Sequence, residues 1–190
     1  MFSLSFFTYL FVLAFFLALL EVQIEGRHGW AKKLPTWRPH AGKWYARLYA
    51  KIMGGKELTG YHAAIFGFVL ALLHFPFFSG AQWSWEGELW VLSLFFLFDI
   101  VWDFLWFIVN PHYGLNRFEA SYVVWHKKWI GPLPLDYVSG MLFSLVLILP
   151  AVYVDAAILK AWVTVVLLWT VLLVAVTLVG MGIKKIKAMI

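Results

Sequence analysis

Residues 98–106 read Phe98-Asp99-Ile100-Val101-Trp102-Asp103-Phe104-Leu105-Trp106, and the chain runs on to Asn110-Pro111-His112. The surrounding apolar run, 88–109, is long enough to cross a bilayer, whose ~30 Å core needs about 20 helical residues. It nevertheless carries two aspartates near its middle, four residues apart and so on one helix face. A carboxylate in hydrocarbon costs at least ~2.5 kcal/mol on insertion scales, and intramembrane acids are functional by default. Asp99 and Asp103 therefore point to a metal or proton site, whose partners must come from elsewhere in the chain.

Working outward, 63% of the 190 residues are hydrophobic and 13% are charged, against about 45–50% and about 25% in soluble domains. An integral membrane protein is expected. Further apolar runs at 2–24, 60–79, 137–154 and 161–183 complete five transmembrane helices in one all-α domain, 1–190. The first run has no basic residue before it and no small-residue cleavage site after it, so it reads as a retained span. With no cysteine, disulfides, zinc–thiolate sites, iron–sulfur clusters and cysteine nucleophiles are excluded. There is no Gly-x-Ser-x-Gly elbow and no phosphate-cradling glycine loop. The multi-histidine boxes of membrane desaturases are also absent. The net charge of +5 fits basic loops facing anionic lipid, and nothing in it calls for nucleic acid.

Orientation follows from lysine and arginine. Loop 27–57 carries eight, loop 110–136 three and the segment after 183 three, whereas the opposite side has only Lys160. This predicts an N-out, C-in protein of the inner (plasma) membrane. Between Lys43 and Met53, basic residues recur every fourth position with Trp44, Leu48, Tyr49 and Ile52 between them. That spacing predicts a short amphipathic helix on the membrane surface.

The same topology gathers the polar residues. The ends of spans one and three and the starts of spans two and four all lie at the cytoplasmic face. Glu21, Glu25, His28, Asp103, His112 and His126 become the candidate metal ligands. Glu21, Glu25 and His28 stand at i, i+4 and i+7, and Glu25-x-x-His28 has the Glu-x-x-His spacing of dimetal carboxylate bundles. His62 shares that side but is left outside the ligand set; His40 and His74 read as structural. Asp99, nearer the bilayer centre, and Asp136 are the acid–base candidates. Trp102, Trp106, Asn110, Trp125 and Trp129 would wall an apolar substrate and orient carboxylates through indole N–H groups.

The expected function is a metal-dependent membrane enzyme acting on a lipid-like or isoprenoid substrate at the cytoplasmic face. Mixed carboxylate and imidazole donors suit Fe or Zn, with Mg as a third option. A di-iron-type oxidoreductase leads, followed by a zinc-dependent lipid hydrolase and a Mg-dependent phospholipid headgroup enzyme. The contrasting expectation is a scaffold or lipid-binding subunit whose buried acids pair with Arg27, Lys127 or Lys128. Membrane lipids are partners on every reading.

Overall fold

The computed structural model describes residues 3–187, with side chains described through residue 182. Lys184, Lys185 and Lys187, which enter the charge argument for orientation, have side chains outside the described residues. Between its loops the described chain forms helices, a single 3-10 turn at Leu115–Arg117 and one short hairpin: α1 (Leu4–Glu25), α2 (Trp44–Ile52), α3 (Gly60–Phe78), α4 (Trp85–Val109), β1 (Trp129–Ile130), β2 (Leu133–Pro134), α5 (Leu135–Val154) and α6 (Ala157–Lys187). All of these except α2, the 3-10 turn and the hairpin are long and apolar enough to cross a membrane.

The helix limits come from local chemistry. Ser84 Oγ accepts from Gly87 N at 3.1 Å and caps α4, with Glu86 and Glu88 in its first turn. Carboxylates there complement the helix dipole. The helix thus starts at Trp85, three residues before the apolar run expected at 88. Asp155 likewise accepts from Ala157 N at 2.9 Å, so α6 begins at 157 instead of 161. Pro134 precedes α5 and draws Asp136 from the loop into that helix's first turn. Pro76 and Pro150 lie inside α3 and α5; transmembrane helices tolerate such breaks because neighbouring groups satisfy the freed carbonyls.

The helix that carries the aspartates is the centre of the bundle. Of its most apolar stretch 61% is buried, against 11% for α6, and it packs against α1, α3, α5 and α6. Phe98, Leu105 and Phe107 of α4 are fully enclosed. The juxtaposition of the first and third spans, which the site requires, is made by specific bonds. Asn110, fully buried, donates Nδ2 to the Gly26 carbonyl at 2.7 Å, and the Tyr113 hydroxyl donates to Arg27 O at 3.2 Å. At the opposite end, Trp169 Nε1 of α6 donates to Phe7 O of α1 at 2.9 Å.

Candidate functional site

Helix α1 ends where Gly26 takes φ +61°, a conformation glycine adopts without penalty. Gly26 N closes the last turn on Val22 O at 2.9 Å. Glu21 and Glu25 sit on the final two turns and are both buried. The next turn is strained: Trp30 and Ala31 both have positive φ, 58° and 50°, which costs an L-residue roughly 1–2 kcal/mol each. The strained turn brings the Ala31 N–H onto Glu25 Oε1. It also lays the Trp30 ring flat on His62, centroids 3.9 Å apart.

His62 occupies the first turn of α3. Thr59 caps that helix, its Oγ1 accepting from His62 N at 3.1 Å. The same oxygen pairs with His62 Nδ1 at 2.8 Å, and Nε2 is left facing the carboxylates, 3.9 Å from Glu25 Oε1. One nitrogen anchored and the other presented is the usual arrangement of a metal-binding histidine. Donor atoms of Glu21, Glu25 and His62 all lie within 4.8 Å of one another. Ligands at ~2.1 Å from one ion stand about 3–4 Å apart, so a contraction of about 1 Å would close the set.

Asp99 and Asp103 of α4 face these groups across a small chamber, ≈ 30 Å³, also lined by Trp102, Trp106 and Trp125. Room of this size holds an ion or a water, whereas drug-sized ligands need ~300–1,000 Å³. Trp102 and Trp106 are only 3% exposed, and among the described residues neither Nε1 has a hydrogen-bond partner. Two buried donors without acceptors thus belong to residues on the chamber lining, an uncommon arrangement in folded proteins.

Behind Asp103 runs a paired network. Its Oδ2 accepts from Tyr137 OH at 2.6 Å and from His126 Nε2 at 3.1 Å. His126 Nδ1 lies 2.9 Å from Asp136 Oδ2, which is 2.8 Å from Lys56 Nζ. Between two carboxylates, which only accept, His126 is satisfied as the doubly protonated imidazolium. Burial pulls its pKa down. The Asp103 charge and the bonds to Asp103 and Asp136 outweigh that and hold it above the ordinary histidine value. Asp103 and Asp136 are thus balanced by His126 and Lys56. Glu21, Glu25 and Asp99 have no ion pair with lysine or arginine among the described residues. Glu21 and Glu25, if both ionised at the 4.8 Å limit of their cluster, would repel by roughly 3–4 kcal/mol at an effective dielectric of ~20, a cost that a shared proton or a cation removes.

The expected site residues divide accordingly. Glu21, Glu25, Asp99, Asp103, Trp102, Trp106 and Trp125 line the chamber, and His126 and Asp136 support it. Four others stand apart. His28 does not continue the Glu21–Glu25 face, because the helix stops at Glu25; its Nε2 accepts from Arg27 Nε at 3.3 Å. His112 is exposed, and its N–H is taken by Asn110 Oδ1 at 3.0 Å. Asn110 joins helix ends instead of lining the chamber. Trp129 donates Nε1 to His126 O at 2.8 Å and braces the loop. His126 has both nitrogens engaged by carboxylates, so it holds Asp103 instead of offering a lone pair to an ion.

The groups missing from the expected set are His62, Lys56, Trp30, Tyr61 (whose OH donates to Glu21 Oε1 at 3.3 Å) and Tyr137. His62 had a readable signal in Thr59-x-x-His62, a helix start on the same side as the acids. The ion pairs expected of a purely structural role, to Arg27, Lys127 or Lys128, are not formed by these acids among the described residues; Lys56 supplies the one lysine contact, to Asp136. Compared with family models, curated proteins and solved structures, the chain matches none of them.

Proposed function

We propose that the protein is a metal-dependent membrane enzyme, with Glu21, Glu25 and His62 as the core ligands and Asp103 completing the set. The observation that carries this reading is the clustering of Glu21, Glu25 and Asp99, with no lysine or arginine ion pair among the described residues, around a chamber of ion size with an anchored imidazole among them. Asp103 Oδ1 has no hydrogen-bond partner among the described residues, while Oδ2 is held from behind. The donor set is oxygen-rich with one imidazole, which favours Fe, Mn or Mg over Zn. An iron centre would supply oxidative chemistry; a zinc centre would supply an activated water for hydrolysis.

The chain's own groups have definable parts in such a reaction. His126, fixed by Asp136, orients Asp103 and holds a proton one bond from the chamber. Trp102 and Trp106 offer N–H donors to an oxygen atom bound beside the carboxylates. The chamber is too small for an acyl or isoprenoid chain, so a lipid-like substrate would lie outside and present only its reacting atoms. The orientation that goes with this reading is N-out and C-in, with the chamber opening toward the cytoplasm. The α2 face formed by Trp44, Leu48 and Ile52, all exposed, would rest on the membrane, bordered by Lys43, Arg47 and Lys51.

The test is metal analysis of protein purified without chelator. The expected result is stoichiometric metal in the wild type and at least a tenfold loss in Glu25→Gln and in His62→Ala. His126→Ala, which removes support behind Asp103, should weaken affinity about 10–100-fold. A wild type free of metal, or variants that keep it, would overturn the reading.

A further inference from the structure

On the loop side of the chamber lies a recess of ≈ 220 Å³, lined in part by Lys32, Lys56 and Lys127 with Trp30 and Trp125 as aromatic walls. Trp30 and Trp125 line the chamber too, so the two spaces adjoin. The three lysines come from separate loops: after α1, before α3 and before β1. Three lysines on one lining make it positive unless something answers their charge.

Only part of that charge is answered. Lys56 is paired with Asp136 at 2.8 Å. Lys127 Nζ reaches Gly55 O at 3.4 Å, a neutral acceptor at the limit of a hydrogen bond. Lys32 has no ion pair among the described residues. Glu57 also lines the recess, but its Oε2 is held by Arg38 Nε at 3.0 Å. Two glycines let side chains of the lining approach the backbone closely. Gly55, at φ +90°, lies where any side chain would run into the Lys127 amine, and a Cβ on Gly29 would stand 2.5 Å from Trp125 Cζ2.

We propose that this recess binds the phosphate group of the substrate, setting the adjoining part of the molecule at the mouth of the chamber. Lysine serves phosphate as a point charge, and the recess is larger than an ion site yet smaller than the ~300 Å³ at which drug-sized pockets begin. It therefore takes a headgroup and leaves the rest of the molecule outside. The proposal rests on the metal-centre reading only in treating the chamber as the place of reaction; phosphate binding stands without it.

The test is native mass spectrometry of the full-length protein in detergent with phosphatidic acid or phosphatidylcholine, each with and without glycerol phosphate. Phosphatidic acid should be retained over phosphatidylcholine. Each lysine near an anionic surface is worth about fivefold in affinity, so Lys32→Ala/Lys127→Ala should weaken phosphatidic acid binding about 25-fold. Lys128→Ala, whose side chain is not on the lining, should leave it unchanged. Displacement by glycerol phosphate would identify a soluble phosphate ester as the source of the group; resistance to it would identify a lipid. Equal binding of the two lipids, an unaffected double variant, or an equal loss in Lys128→Ala would overturn the proposal. Metal content measured on the same samples separates the two readings. A metal-free wild type that still selects phosphatidic acid defeats the metal centre alone. A metal-loaded wild type without that selection defeats the recess alone.

Discussion

His126 shows how one side chain converts a cluster of acids into an ordered site. Its 1%-exposed ring joins Asp103 to Asp136, and its pKa is raised in the folded protein. A histidine raised on folding contributes stability that is fully present below its unfolded value of ~6.5 and is lost as pH rises through the folded value. In metal-free protein, the stability advantage of wild type over His126→Gln should therefore be largest near pH 6 and shrink toward pH 9. Thermal melts across that range check it; a difference independent of pH would remove the imidazolium. At this scale the sequence was only partly legible. Asp103 could be recognised because a carboxylate within an apolar run is costly wherever it falls. His28 could not be excluded by spacing, since its removal from the site depends on the turn that Gly26 makes. The left-handed pair at Trp30 and Ala31 carries no glycine signal at all, so the position of Trp30 over His62 was invisible in the residue pattern.

Between elements, the decisive contact is Asn110, which ties the end of α4 to the end of α1. It donates to Gly26 O and accepts from His112 N. Asn110→Ala removes both of these part-buried bonds, and a typical intramolecular hydrogen bond contributes about 0.5–1.5 kcal/mol. The variant should lose at least that much in reversible unfolding and bind metal more weakly, because Glu25 and Asp103 then lose their fixed separation. Unchanged unfolding would show that helix packing alone sets that separation. Helix existence was legible from apolar run length, and the limits of α1 and α3 lay within two residues of expectation. The starts of α4 and α6 were displaced by three and four residues because the capping residues Ser84 and Asp155 extend these helices beyond the apolar run that hydropathy detects. Lys56 was read as one more loop cation; only the fold brings it to Asp136.

For the whole molecule, the strongest expectation concerns which side of the membrane holds the chamber. The chain has no cysteine, so single introduced cysteines report unambiguously. Lys51→Cys, in α2, should resist a membrane-impermeant thiol reagent in intact cells, and Gln82→Cys, between α3 and α4, should react. The reverse pattern would invert the orientation and place the lysine recess outside. The alternation of spans made the shared end of α1, α3, α4 and α5 readable in advance, and the structure gathers Glu21, His62, Asp103 and Asp136 at that end. Packing order was not readable, because every span is apolar and hydropathy does not say which helix lies at the centre.

The bond between Trp169 and Phe7 also bears on biogenesis. Every chamber-lining side chain lies between Glu21 and Trp125, and its supports end at Tyr137, so the ribosome has made the entire site before α6 begins. What α6 adds is a late seal across the far end of α1, from a partner 162 residues downstream. The groups around the chamber can therefore come together before α6 is made, and α6 then closes across α1 through Trp169.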